Sequence, residues 1–271
     1  MEVIIVSGFL LLFVIFVLYN IISGIRIMTK WYFGDYINKY LLIAKIDPLY
    51  KAPLRKYSKF YQQLNPSDKT IFEKRVQKFI NQKQFIARGM EKITDEMKAL
   101  IAGAAIQLTF GHPSIYFAHF RRILVYPDNY YSEISKRYHT GEVNMGGIIV
   151  LSWKNFVEGN IDYEDGKNLG LHEMAHALRL ENAITNEEYG FLDDDLLMTW
   201  TDLCYREIEK MNEGKSDFFR FYATTNSQEF FAVAVENFFE RSQEFKDWHP
   251  KMYNTLSKML NQDPLKSGRL V

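Results

Sequence analysis

The hydrophobic and polar positions divide the chain into one long uncharged run followed by amphipathic segments. The run from Val3 to Ile25 contains no Asp, Glu, Lys or Arg. A helix rises about 1.5 Å per residue, so a helix over this run would cross a bilayer core of about 30 Å. We therefore predict a transmembrane anchor over 1–25. A cleaved signal peptide is the alternative, although Glu2 stands where a signal peptide carries basic residues.

Basic residues flank this run on its C-terminal side, at Arg26 and Lys30. The positive-inside rule then predicts a single-pass membrane protein whose remaining chain lies in the cytoplasm. The single cysteine, Cys204, agrees with a reducing compartment because it cannot form an intramolecular disulfide. We expect Cys204 to be a buried apolar residue. The competing topology is an outward-facing protein cleaved near Ser23 and Gly24.

Apolar residues at helical spacing predict two helices in the first half of the chain. One begins at Ser67, its cap, and continues through about Ile80, and the other extends from Thr94 to about Phe110. Both apolar stripes are typical of core packing.

Prolines separate these helices from the uncharged run. Pro48 and Pro53 should interrupt any long helix, so residues 26–66 are predicted to form a connector. The remaining residues, 67–271, are predicted to form one domain with an N-terminal helical part.

The middle of the chain favours β-structure. Arg122 to Tyr126 and Gly147 to Trp153 are rich in β-branched and apolar residues, which predicts two short strands. The polar connection between them contains His139, and long connections are often functional. The second strand could present an exposed edge to an extended peptide, or it could be an ordinary core strand.

Two further helices are expected in the second half, one starting near 166–170 and running through Leu180, and one running from Ser227 to about Glu240. The predicted fold class is therefore α+β, mainly helical, with a small sheet. Lys plus Arg and Asp plus Glu both number 33, and this balance gives no electrostatic argument for nucleic-acid binding.

The first of these two helices carries an H-E-x-x-H motif at His172, Glu173 and His176. Residues four apart lie on one face of a helix, so both imidazoles can bind one Zn²⁺ while the glutamate faces a water molecule. The alternative is a helix whose two histidines bind no metal and lie either at the surface or in the core with hydrogen-bond partners. The flanking residues are apolar, and a buried helix with two histidines and a glutamate needs strong polar partners, which favours the metal.

A catalytic zinc keeps three protein ligands, so the two histidines require a third. Glu229 and Glu236 are the candidates, because they lie seven apart on one face of an otherwise apolar helix. Glu229 is favoured because it opens that helix beside small polar residues, and Glu236 remains open on these grounds.

Several blocks of sequence, in this order, resemble the Mlc titration factor A (MtfA) family of zinc peptidases over roughly 72–264. The blocks are Phe72 to Phe79, Ile93 to Met97, Ile123 to Pro127, Val150 to Trp153, Leu171 to His176, Glu229 to Val233 and Trp248 to Pro264. The family is similar to the catalytic domain of anthrax lethal factor, a gluzincin, so the resemblance implies a zincin-like metallopeptidase domain.

The resemblance also implies roles for particular residues. In the lethal-factor pattern a tyrosine precedes the ligand glutamate by seven residues, as Tyr222 precedes Glu229 here. It follows that His172, His176 and Glu229 would bind zinc, Glu173 would be the general base, and Tyr222 would face the reacting oxygen. The family further implies a transcription-regulator partner, the Mlc repressor, although no motif in this chain specifies that contact.

The leading hypothesis is a membrane-anchored zinc metallopeptidase, with its catalytic domain in the cytoplasm, that acts on peptides or proteins. The alternative is a regulatory protein-binding module in which zinc is structural. Glu173 and Tyr222 favour the enzyme, because a structural site needs neither a base nor an oxyanion donor and has four protein ligands.

Overall fold

The computed structural model describes Val17, residues 45–132 and 136–266, and the backbone of 268–269. The chain divides into two compact units, Met1–Lys45 and Ile46–Val271, and nearly all described residues belong to the second. That unit is mainly helical α+β structure with small sheets, which confirms the predicted fold class at this level. The predicted domain boundaries after residues 25 and 66 stay predictions.

Elements are numbered along the described residues. The α-helices are α1 (Pro48–Tyr57), α2 (Lys59–Gln63), α3 (Pro66–Gln82), α4 (Asp95–Leu108), α5 (Trp153–Glu158), α6 (Leu169–Ala183), α7 (Asp194–Asn212), α8 (Ser227–Glu240), α9 (Ser242–Trp248) and α10 (Pro250–Leu260). The strands are β1 (Gln84–Ala87), β2 (Arg122–Tyr126), β3 (Tyr130–Ser132), β4 (Arg137–His139), β5 (Gly141–Asn144), β6 (Ile148–Ser152), β7 (Gln262–Asp263) and β8 (Gly268–Arg269). Short 3₁₀ helices lie at Phe221–Thr225 and Pro264–Lys266.

The two prolines expected to interrupt helical structure lie within one ten-residue helix, α1. Pro48 occupies its first turn, where a proline loses no helical hydrogen bond. Pro53 removes one bond in the second turn, and its ring is buried together with Leu54. Because α1 packs against α4, this burial offsets the lost bond.

The next two helices are confirmed, with different caps. The side chain of Asn65, not Ser67, caps α3 by accepting the Asp68 N–H at 2.9 Å. Thr94 is the cap of α4 and accepts the Met97 N–H at 3.1 Å. A side-chain oxygen placed before the first turn satisfies a backbone donor that would otherwise lack a partner.

Four strands, β1, β2, β5 and β6, form one sheet in the order β1-β2-β6-β5. The first three strands are parallel, and β5 pairs antiparallel with β6. Of the two alternatives left open for the second strand, the structure has the ordinary core strand, because β6 pairs on both sides. The polar connection forms β3, β4 and β5, so among the described residues β5 is the outer strand on this side of the sheet. This pairing was missed because β5 has few β-branched residues.

Helices α6 and α8 pack closely against each other in the core. The second of these helices is apolar on nearly all sides, and its side chains from Phe230 to Val235 are at most 1% exposed. A helix of this kind is stable only when neighbours surround it, and here α6, α7, α9 and α10 do so. Cys204 is fully buried, as predicted.

No helix in the described part of the chain is long and apolar enough to cross a bilayer. The longest, α7, has 19 residues and carries charged residues along its length. The predicted localisation, a single-pass membrane protein with a cytoplasmic catalytic domain, is contradicted by this finding and is not retained. The run from Val3 to Ile25 lies outside the described residues, apart from Val17.

Candidate metal centre and active-site cleft

Helix α6 holds the two histidines on one face. Its N-terminus is fixed by Asn168, whose side chain accepts the Leu171 N–H at 3.0 Å. His172 and His176 follow one turn apart, and their Nε2 atoms lie 3.1 Å from each other. Two ring nitrogens this close, on one face of the helix, can both bind the same metal ion.

Glu229 completes a three-residue cluster with these histidines. The side chain of Asn226 caps α8 by accepting the backbone N–H of Glu229 at 2.9 Å, which places Glu229 in the first turn. One carboxylate oxygen, Oε2, lies 3.1 Å from Nε2 of His172 and 3.4 Å from Nε2 of His176. Among the described residues, these three form the group able to hold a metal ion.

Glu236, the other candidate ligand, lies behind His172 and not among the three donor atoms. Its Oε1 is 2.7 Å from Nδ1 of His172, the ring nitrogen that faces away from Glu229. Its side chain is 2% exposed and is held by Arg220, which donates to Oε1 at 2.6 Å and to Oε2 at 3.0 Å. The backbone N–H of Asn168 also donates to Oε2, at 2.6 Å. Glu236 therefore fixes the orientation of the His172 ring.

Glu173 is buried between α6 and the start of β5. The residue is 5% exposed, and a Cβ at position 141 would collide with its carboxylate. Gly141 is thus required by the close approach of the strand backbone to this side chain. Burial raises the pKa of Glu173 to about 7, although the neighbouring histidines act against it.

Tyr222 lies in the 3₁₀ helix that precedes α8, beside the cluster. Its ring centroid is 6.2 Å from that of His172, and the residue is 52% exposed. Partial burial, followed by its interactions with Glu229, raises the pKa of Tyr222 to about 12. The phenol is therefore protonated at neutral pH and can donate a hydrogen bond.

The electrostatics of the cluster fit a divalent cation. Burial alone would lower the pKa of His172, but hydrogen bonds to Glu229 and Glu236 outweigh it and raise the pKa to about 10. Hydrogen bonds from the histidines hold the pKa of Glu229 well below its ordinary value, against the effect of burial. Of the three carboxylates at the cluster, that of Glu236 pairs with the Arg220 guanidinium, whereas Glu229 faces the two histidines. Two imidazoles and a carboxylate are ligands that zinc prefers.

The cluster opens into a cleft of about 920 Å³. Its walls are α6 on one side and the edge strand β5 on the other, with Tyr222 at the rim. An extended peptide in this cleft could pair with the free backbone groups of the β5 edge.

Each predicted site residue thus lies at this cleft, while their assignment as ligands and catalytic groups stays a prediction. Sequence reasoning missed three contributors, Arg220, Asn168 and Gly141. The only indication of Arg220 in the sequence was indirect: a buried glutamate such as Glu236 requires a positively charged partner. Asn168 carried the ordinary signal of a helix cap, whereas the sequence around Gly141 carried none.

A family model described as glucose-regulated metallo-peptidase M90 matches residues 37–260. An uncharacterized protein of Synechocystis sp. is 29% identical over 270 residues, covering 93% of this chain and 97% of that protein. Mlc titration factor A of Pectobacterium atrosepticum is 27% identical over 210 residues, 69% of this chain and 76% of that protein. Mlc titration factor A of Serratia proteamaculans is 30% identical over 165 residues, 54% and 62% of the two chains.

Proposed function

The chain belongs to the family of glucose-regulated metallo-peptidases M90, and on this premise we propose that it is a zinc-dependent peptidase with Glu173 as general base. Family membership confirms the resemblance to the Mlc titration factor A proteins. The observation that carries the proposal is the meeting of His172, His176 and Glu229, with Glu173 beside them, on the wall of an open cleft.

His172, His176 and Glu229 would hold the zinc ion, through two ring nitrogens and one carboxylate oxygen. When bound, zinc supplies Lewis acidity toward a carbonyl oxygen and toward water. Three protein ligands leave a position for a reactant, which a structural site lacks. The third carboxylate near the histidines, Glu236, contributes by holding His172 in the ring orientation that presents Nε2 to the cleft.

Glu173 would take a proton from the attacking water and return it to the departing amine nitrogen. A carboxylate suits this exchange when burial brings its pKa close to neutrality, and burial acts on Glu173 in that direction. Tyr222 would donate its phenolic hydrogen to the oxygen of the tetrahedral intermediate, where negative charge develops. Both side chains would act directly on the reacting atoms.

The peptide backbone would be positioned by β5. This strand is the outer member of the sheet, and its residues from Gly141 to Val143 line the cleft. A substrate strand added here would gain backbone hydrogen bonds independent of its side chains. Binding in this way therefore requires that the substrate be extended at the scissile bond.

The alternative, a regulatory module with a structural metal, is less well supported. Such a site is closed by four protein ligands, whereas three donors meet among the described residues and face open space. Two of the three relatives described above are named Mlc titration factor A, and a regulator partner for this chain stays a prediction.

Zinc content of single variants tests the proposed ligands. His172→Ala, His176→Ala and Glu229→Ala should each lose most of the metal, because a site with three ligands has none to spare. Glu236→Gln, the matched control carboxylate, should keep zinc with a weaker Kd. Full zinc occupancy in Glu229→Ala together with loss in Glu236→Gln would contradict the ligand assignment.

A further inference from the structure

Arg179 lies on the same wall of the cleft as the histidines. It follows His176 by three residues on α6, so helical geometry places both side chains on one face. Leu180 and Ala183 continue the cleft lining beyond it. This end of the cleft is thus made by the C-terminal half of α6.

The guanidinium of Arg179 has no acidic partner in the described part of the chain. Within the described ranges, no carboxylate forms an ion pair with it. It lies over the ring of Phe231, 5.5 Å from the centroid, and Phe231 is itself 1% exposed. Burial lowers the pKa of Arg179, although an arginine remains charged at any physiological pH. Arg220, by contrast, is neutralised by Glu236.

The direction of β5 relates Arg179 to a bound peptide. The strand begins at Gly141, beside Glu173. It ends at Asn144, which pairs with the first residue of β6. The backbone of Gly147, just before β6, lies close to that of His119. His119 in turn donates its backbone N–H to the carboxylate of Glu181, near the end of α6. Strand β5 therefore runs in the same sense as α6. A peptide paired antiparallel to it would place residues N-terminal to the scissile bond near Arg179.

The geometry points to Arg179 as a specificity-determining residue that binds a carboxylate of the substrate. This carboxylate belongs to an acidic side chain on the N-terminal side of the scissile bond. A planar guanidinium held over an aromatic ring, with unused N–H donors, matches a carboxylate in shape and charge. This inference rests on the proposed peptidase function and names its substrate class. The competing interpretation is that Arg179 only covers Phe231.

Paired peptides test the inference in the full-length, zinc-loaded protein. Peptides differing by Glu, Gln or Lys at successive positions before the scissile bond are compared by kcat/KM. Their Kd values are measured by fluorescence anisotropy in the Glu173→Gln background, so that binding is read without turnover. At one position we expect a preference for Glu over Gln of about tenfold, the low end of what a hydrogen bond to a charged group contributes.

Substitutions at Arg179 should change this preference. Arg179→Met should bring the Glu-to-Gln ratio of both kcat/KM and Kd to about one, Arg179→Lys should restore part of it, and Arg179→Glu should reverse it toward Lys peptides. Arg206→Met is the matched control, because Arg206 is exposed on α7 and pairs with Asp202. A structural role through Phe231 would lower stability without changing these ratios.

The outcomes separate this inference from the proposed function. Loss of the Glu-to-Gln preference in Arg179→Met, in both kcat/KM and Kd, supports binding of the side-chain carboxylate by Arg179. Equal ratios in wild type and Arg179→Met would overturn the inference, even if the neutral peptide is hydrolysed. Absence of hydrolysis with an intact Kd ratio would overturn the peptidase function and leave carboxylate binding supported.

Discussion

Removing Arg220 should weaken both the fold and the metal site, because this residue holds Glu236 and, through it, His172. Arg220 donates two hydrogen bonds to Glu236, at 2.6 and 3.0 Å, and one to the carbonyl oxygen of Gly166 at 2.8 Å. Arg220→Met keeps much of the side-chain volume and removes all three bonds.

The magnitude follows from burial. Removing one partner of a buried ion pair costs about 3–5 kcal/mol, because a charge is left without compensation. The Arg220 side chain is 28% exposed, so water can replace part of the interaction. We therefore expect the free energy of unfolding of the metal-free protein to fall by about 2–3 kcal/mol. Loss of a group that orients a ligand histidine should weaken zinc binding about 10- to 100-fold.

Urea denaturation of the metal-free protein and competition with a chromophoric zinc chelator measure the two effects. Arg206→Met is the control, since Arg206 and Asp202 are 69% and 60% exposed and their ion pair should contribute little. An unchanged zinc Kd in Arg220→Met, beside a normal fold, would refute the positioning role of Arg220. A loss of equal size in Arg206→Met would show that the effect is not specific to the site.

Three further predictions concern single residues around the cleft and the core. Tyr222→Phe should lower kcat for peptide hydrolysis on the order of 10²-fold while zinc content is kept, and Tyr189→Phe, at an exposed tyrosine, should not; equal rates would exclude an oxyanion role. Gly141→Ala should displace Glu173 and lower hydrolysis on the order of 10²-fold without loss of zinc, and full activity would contradict the close approach. Burial raises the pKa of Cys204 to about 12, so the native thiol should resist a disulfide reagent at pH 8 and react once urea unfolds the protein; rapid native labelling would contradict its burial.

Local pattern was sufficient to predict the elements that carry the candidate site. The spacing of His172 and His176 depends only on helix geometry, and α8 begins and ends where the sequence indicates, at Ser227 and Glu240. A helix cap and an apolar period are both encoded within a few residues of the element they define.

Non-local pairing accounts for what the sequence left open. The sequence left open whether β6 presents an edge or is a core strand, because the partner of a strand is not encoded in its own residues; in the structure β5 covers it. Arg220 and Glu236 lie on different elements, so no periodicity links them. Pro53 is accommodated in α1 because tertiary burial compensates for a missing hydrogen bond, which a local rule cannot anticipate.

The most direct test of the proposed function is kcat/KM for an unstructured peptide substrate, measured for wild type and Glu173→Gln at equal zinc content. The substitution keeps the volume of the side chain and removes its ability to accept a proton from water. We expect kcat/KM to fall by about 10²- to 10⁴-fold, as loss of a general base does. Equal hydrolysis by the two proteins would contradict the proposal that Glu173 is the base of a peptidase.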